Sequence, residues 1–171
     1  MRILVTGGAG FIGSNVVNRF VDLGHEVAIV DNLITGKRQN LDARATFHEV
    51  DITDREAVEK AFAAFRPEIV CHHAAQIDVR KAVEDPVFDA SVNVLGGINV
   101  VRAALAAQVG KFVYASTGGA IYGNPEVIPC TEEHPIRPIS PYGLTKHVLE
   151  HYLEMYSIIE GLHYTVLRYA N

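Results

Sequence analysis

Tyr142 and Lys146 are the residues of this chain whose types and spacing most directly suggest chemistry. They lie in Ser140-Pro141-Tyr142-Gly143-Leu144-Thr145-Lys146. Ser140 is a good N-cap and Pro141 suits the first helical position, so a helix starts here with Tyr142 and Lys146 one turn apart on one face. A tyrosine with an ordinary pKa of about 10 is a poor base at neutral pH. A cation one turn away stabilises the phenolate and lowers that pKa, and the positive end of the helix adds to the effect. A helix start favours acids over lysine, so something other than helix stability placed Lys146 here. A surface helix could carry the same spacing by chance, and the reading therefore depends on its surroundings.

The surroundings begin with a glycine turn. Residues 2–6 read as a short buried strand, and Gly7, Gly10 and Gly13 then carry the chain into a helix. Gly7 permits the turn, Gly10 lets the main chain approach phosphates, and Gly13 lets helix and strand pack closely. The unpaired N–H groups of the helix start and its dipole attract an anion. The spacing G-x-x-G-x-x-G is one residue longer than the usual dinucleotide fingerprint. Three glycines alone describe any tight turn; a strand before, a helix after and an acid further on give them meaning. All three are here. A helix over 11–23 ends at Gly24, a strand follows at 26–30, and Asp31 stands at its end. A carboxylate there takes both hydroxyls of an adenosine ribose and repels a 2′-phosphate, which points to NAD rather than NADP although Lys37 and Arg38 lie near. Ser116 and Thr117 leave the fifth strand in Ser116-Thr117-Gly118-Gly119-Ala120-Ile121-Tyr122-Gly123. A hydroxyl there can hydrogen-bond a substrate oxygen that Tyr142 deprotonates, whereas the bland alternative is turn chemistry.

Strands at 2–6, 26–30, 45–50, 69–73, 111–115 and 163–169 alternate with helices at 11–23, 54–65, about 88–108 and 141–159. Thr53 and Glu56 form a candidate capping box for the second helix. This alternation specifies an α/β fold, a Rossmann-like doubly wound parallel sheet with helices on both faces and strand order 3-2-1-4-5-6. Ligand then binds at the strand C-termini where the order reverses, and the long loop 117–140 leaves that same edge.

Composition fits one globular domain over residues 1–171: hydrophobics make up 49% and charged residues 20%. Twenty acids against 15 bases provide no basic stripe, which argues against nucleic acid as a partner. The first strand starts at residue 2, without room for a signal peptide, and no apolar run is long enough to cross a bilayer, so a soluble cytoplasmic protein is expected. Of the two cysteines, Cys71 falls in an apolar strand and reads as a buried small residue. His147 and His151 are i, i+4 but lack a third ligand at convincing spacing, and no metal site is expected.

Taken together, these segments resemble the extended short-chain dehydrogenase/reductase family, and within it the NAD-dependent nucleotide-sugar epimerases of the UDP-glucose 4-epimerase type. The resemblance is carried by Thr6 to Gly13, Asp31-Asn32-Leu33, Asp51-Ile52, His73-Ala74-Ala75-Gln76, Asn93-Val94 with Gly96, Tyr122-Gly123, Ser140 to Lys146, and Leu167-Arg168-Tyr169 with Asn171. It implies that Gly7, Gly10, Phe11 and Ile12 line the pyrophosphate. It puts Asp31 and Asn32 on the adenosine ribose, and Asp51 and Ile52 on the adenine. Ala74, Ala75 and Gln76 would pass beside the cofactor. Lys146 would bind the nicotinamide ribose while tuning Tyr142, and Tyr169 would lie near the nicotinamide. Thr117, Tyr142 and Asn171 would touch a nucleotide-sugar substrate, for which a UDP-sugar is expected.

The implied reaction oxidises the sugar at C4, turns the 4-keto sugar over, and returns hydride to its other face. Thr117 is the expected catalytic hydroxyl and Ser116 the alternative, because many relatives carry theirs four residues before the Tyr of Tyr-Gly, where Gly118 stands. Related dehydratases carry a carboxylate just after that hydroxyl; Gly118, Gly119 and Ala120 provide none. The resemblance also implies a chain about twice this long, with a second domain for substrate, so these residues read as an N-terminal cofactor-binding fragment that need not be active alone. The rival readings are another nucleotide-sugar oxidoreductase or dehydratase of the same family, and a non-catalytic NAD-binding module. Relatives pair the helices matching 88–108 and 141–159 as a homodimer. Val92, Val100, Val148 and Leu149 permit that here, and core packing would explain them equally.

Overall fold

The structure, a computed structural model, describes residues 1–170. Six parallel strands form its sheet: β1 (Arg2–Thr6), β2 (Glu26–Asp31), β3 (Thr46–Glu49), β4 (Ile69–His72), β5 (Lys111–Thr117) and β6 (Tyr164–Tyr169). Their order is β3-β2-β1-β4-β5-β6, as the sequence pattern predicts. The register sets Thr6 beside Val30 on one flank and beside His72 on the other. The direction of winding reverses between β1 and β4, so the loops leaving them part there and open a crevice.

The helices are α1 (Phe11–Asp22), α2 (Arg55–Phe65), α3 (Val79–Glu84), α4 (Pro86–Ala90), α5 (Gly97–Ala106), α6 (Gly118–Ile121) and α7 (Pro141–Glu160). Successive strand residues point to opposite faces. Ile3, Val5, Val27 and Ile29 therefore pack against Val17 of α1, while Leu4, Ala28, Val30, Val70 and Phe112 meet α2, α5 and α7 on the other side. Ser140 caps α7 by accepting the Gly143 N–H at 3.1 Å, and Pro141 takes the first turn, as expected.

The differences from expectation have local causes. The single helix expected over 88–108 is three pieces: α4, a π-helical stretch at Ser91–Gly96, and α5. A separate α3 precedes them, capped by Asp78 through the Arg80 and Lys81 N–H groups. Asp54, not Thr53, caps α2 by accepting the Ala57 N–H, because the Thr53 hydroxyl donates to Asp51 instead. β5 continues through Ser116 and Thr117, and the loop after it opens with α6. Val100 and Leu149 are fully buried within the monomer and offer no surface for pairing. Cys71 is buried and Cys130 exposed, both as free thiols. No helix among the described residues is long and apolar enough to cross a membrane.

α5 and α7 touch where Gly97 meets Leu149; any Cβ at Gly97 would collide with Leu149 Cδ2. Leu149→Ala leaves a void at this seam. The expected loss is about 2–5 kcal/mol, read as a lower urea midpoint with an unchanged m-value, whereas the exposed Ile158→Ala changes stability by less than about 0.5 kcal/mol.

Candidate active site

A cleft of about 640 Å³ runs across the C-terminal ends of the strands, a size suited to a small molecule or cofactor. At one end it is bordered by Gly7, Gly10, Phe11 and Ile12, and then by Asp31, Asn32 and Ile52. Ala74, Ala75 and Gln76 form its middle, and Ser116, Tyr142, Lys146 and Tyr169 its far end. Residues separated by most of the chain are thus gathered into one cavity. Asp51 and Thr117 are not in its lining. Asp51 lies behind it, accepting from Asn32 Nδ2 at 2.8 Å, and so positions Asn32. Asn171 lies outside the described residues.

The turn end is shaped by contact between crossing chains. Gly7 has φ +69° and donates its N–H to Val30 O at 2.8 Å. A Cβ there would stand 2.6 Å from Ala74 N, so no side chain fits where the β1 and β4 loops cross. At Gly13 a Cβ would strike Gly7 O, which fixes how closely α1 approaches the turn. Gly10 precedes α1 without a side-chain cap, leaving N–H groups of the first turn to face the cleft. Asp31 is buried; its carboxylate accepts Ala9 N–H at 3.0 Å and Leu33 N–H at 2.8 Å, one on each oxygen. Each oxygen keeps a second lone pair for a ligand hydroxyl. Arg38 is engaged by Glu49 at 2.6 Å.

Lys146 dominates the other end. It is only 3% exposed, and its Nζ stands 4.4 Å from the centre of the Tyr114 ring. Burial brings its pKa down to about 7, with Glu150 and then Asp89 acting in the opposite direction. Tyr142 corrects a sequence expectation. Burial pushes its phenol up, and the Asp89 charge pushes it further, so in the bare cleft it is not the lowered phenol that its spacing from Lys146 suggested. His72 is held neutral, chiefly by burial and then by the nearby Lys146 charge. Its Nδ1 lies in a hydrogen bond of 2.6 Å with the Thr6 hydroxyl, whose oxygen also accepts Ala74 N–H at 3.1 Å. His73 Nδ1 is buried and has no partner among the described residues, while its Nε2 is 3.4 Å from Tyr169 Oη.

The two candidate hydroxyls differ in their commitments. Ser116 Oγ donates to Glu150 Oε1 at 2.5 Å, and Glu150 also takes Arg168 Nη2 at 2.7 Å. Arg168 Nη1 donates to Tyr122 Oη at 2.9 Å, tying the loop after β5 to this pair. Thr117 precedes α6, yet its side chain makes no capping bond. Glu150, Arg168, Asp89 and Asn93 were missed as site residues. The signal for two of them was spacing: Glu150 follows Lys146 as Lys146 follows Tyr142, and Asn93 follows Asp89 by one turn. Among the described residues, no group of three or more His, Cys, Asp or Glu side chains is arranged to hold a metal ion.

The family model described as "NAD dependent epimerase/dehydratase family" matches residues 3–171. The UDP-glucose 4-epimerase of Mycolicibacterium smegmatis is 42% identical over 176 residues, covering 100% of this chain and 56% of that protein. The crystal structure of the Thermus thermophilus UDP-glucose 4-epimerase in complex with NAD superposes with a TM-score of 0.96 at 52% identity, over 99% of this chain and 55% of that one. That of the Thermotoga maritima UDP-glucose 4-epimerase with UDP-glucose gives 0.98 at 49% identity, over 100% and 56%. The chain spans about half the length of the curated relatives it matches. With its fold, its glycine turn and its Tyr142–Lys146 pair in one cleft, this chain belongs to the NAD dependent epimerase/dehydratase family.

Proposed function

We propose that this chain is the NAD-binding part of a nucleotide-sugar epimerase of the UDP-glucose 4-epimerase type, and that it acts on a UDP-sugar. The observation that carries the reading is the single cleft joining an uncapped α1 N-terminus to a buried lysine beside a tyrosine. The residues fit a dinucleotide: Gly7 has no room for a side chain, and Asp31 keeps free lone pairs at the end of β2. Gly7, Gly10, Phe11 and Ile12 would hold the pyrophosphate, Asp31 the ribose, Ile52 the adenine side, and Tyr169 with Lys146 the nicotinamide end. When bound, NAD accepts a hydride from the sugar carbon and later gives it back.

The chain's own residues manage the proton. Tyr142 Oη takes it from the sugar 4-hydroxyl. Its burial and then the Asp89 charge oppose the phenolate, and a positive charge on Lys146, one turn along α7, acts in its favour. Ser116 lines the cleft but gives its hydroxyl to Glu150, and Thr117, next to it outside that lining and with no capping bond of its own, is the hydroxyl left to steady a sugar oxygen. The exposed Leu144 and Met155, roughly three turns apart on one side of α7, support pairing of two copies through this helix in a cytoplasmic enzyme.

In the whole protein carrying this chain, supplied with NAD and UDP-galactose, UDP-glucose is the expected product. Tyr142→Phe there lowers turnover about 10²–10⁴-fold while NAD affinity changes little. A protein that holds NAD but returns a dehydrated or reduced sugar would overturn the epimerase reading. Lys146 gives a second expectation. Unfolded, it keeps its proton to about 10.5; folded, only to about 7. Its penalty on folding is therefore full below about 7 and fades as pH rises toward 10.5. The wild type should gain stability over Lys146→Met by an amount on the order of a few kcal/mol across that interval, measured as the difference in urea midpoints at each pH.

A further inference from the structure

Asp89 has no exposed surface, and the proposed chemistry does not use it. Its carboxylate accepts the Thr145 hydroxyl at 2.6 Å, Gln76 Nε2 at 3.0 Å and Asn93 Nδ2 at 3.1 Å. Those three donors come from different parts of the fold: α7, the loop after β4, and the π-helical stretch after α4. Asn93 closes the arrangement by bonding the Gln76 backbone in both directions, accepting its N–H at 2.8 Å and donating to its carbonyl at 3.0 Å. The same hydroxyl also lies 3.1 Å from Tyr142 O, to which it can turn its one proton, and Thr145 immediately precedes Lys146. A local π-helical widening at Asn93 is what a built site would use to aim that amide.

All three side chains on Asp89 are neutral. Neutral donors stabilise a buried carboxylate, and a positive charge nearby stabilises it further. Lys146 is that charge. The groups facing Lys146 are His72 and His73 from β4 and its loop, Tyr114 from β5, Tyr142 and Glu150 from α7, and Asp89 from α4. The two histidines are held toward neutrality and the tyrosines are protonated near neutral pH, so Asp89 and Glu150 are the anions. Glu150 is already engaged by Arg168, whereas Asp89 has no cation of its own in hydrogen-bond reach among the described residues.

We propose that Asp89 is a positioning residue: its carboxylate clamps the Gln76 loop onto the helix bearing Tyr142 and Lys146, and supplies the negative charge that balances the buried Lys146 ammonium. It acts through these neighbours rather than on substrate. The proposal rests on the cofactor-cleft reading only for its effect on NAD; the clamp and the charge balance are properties of the bare chain.

Two variants separate shape from charge. Asp89→Asn keeps the outline, and Thr145 can turn its hydroxyl to accept the new amide, so the network persists without the charge. In that variant the midpoint of the Lys146 ¹³Cε titration, followed by NMR without cofactor, moves to lower pH than in the wild type. Asp89→Ala removes the clamp, and amide exchange over residues 73–78 speeds up about tenfold or more while NAD affinity falls about tenfold. If Asp89→Ala does not fold, Gln76→Leu cuts the loop side of the same clamp and is read by the same exchange. A Lys146 midpoint that stays or rises in Asp89→Asn overturns the charge role. Unchanged exchange over 73–78 overturns the clamp. A wild-type chain that ignores NAD, while both cofactor-free measurements respond as described, refutes the cofactor reading and leaves the clamp standing.

Discussion

One buried ammonium organises the far end of the cleft. Lys146 is almost wholly removed from water in the wall of the cleft, in a position that ordinary burial would neutralise. The Tyr114 ring lies under its Nζ, and the carboxylates of Glu150 and Asp89 lie near it. Each of those groups is fixed by others. Arg168 and Ser116 hold Glu150, and Thr145, Gln76 and Asn93 hold Asp89. β5, β6, α4, α7 and the loop after β4 are thus joined through the surroundings of a single charge. A surface-exposed lysine would require none of this.

The glycine turn solves the complementary problem at the other end. There the anion comes from outside, and the protein must present backbone rather than side chains. Gly7 and Gly13 are glycines because neighbouring backbone occupies the space a Cβ would need, and Gly10 leaves the helix start uncapped. Thr6 and His72 link the ends: one hydroxyl bonds the His72 ring and the Ala74 N–H, fixing the β4 loop against β1 beside the turn. A neutral His72 suits this role, since a second buried cation near Lys146 would raise the cost of both.

Much of this was legible in the chain itself. Strand order, the glycine turn, Asp31 and the Ser140 cap follow from short-range rules of period, capping and turn chemistry, and the structure has them all. What short-range rules did not show depended on distant partners. The Asp51 carboxylate bonds Asn32, a contact made by how β2 and the strand beside it bring their ends together. Thr117 was the expected hydroxyl and Ser116 the alternative; that Glu150, far along the chain, engages Ser116 could not be read from either position. The Tyr142 phenol was expected to be lowered by its neighbour one turn on; burial, which no local pattern reports, pushes it the other way. Asp89 and Asn93 stand one turn apart in the sequence, but the π-helical stretch that aims Asn93 has no period of its own to mark what the pair would bind.

The function proposed for this chain requires that the cleft between the glycine turn and Lys146 be a site for NAD. Calorimetric titration of the purified, folded chain with NAD and, separately, with NADP tests this most directly. One-to-one binding of NAD, with NADP weaker by about tenfold or more, is the predicted result, since Asp31 takes ribose hydroxyls and repels a phosphate. A folded chain that binds neither, or that prefers NADP, would contradict it.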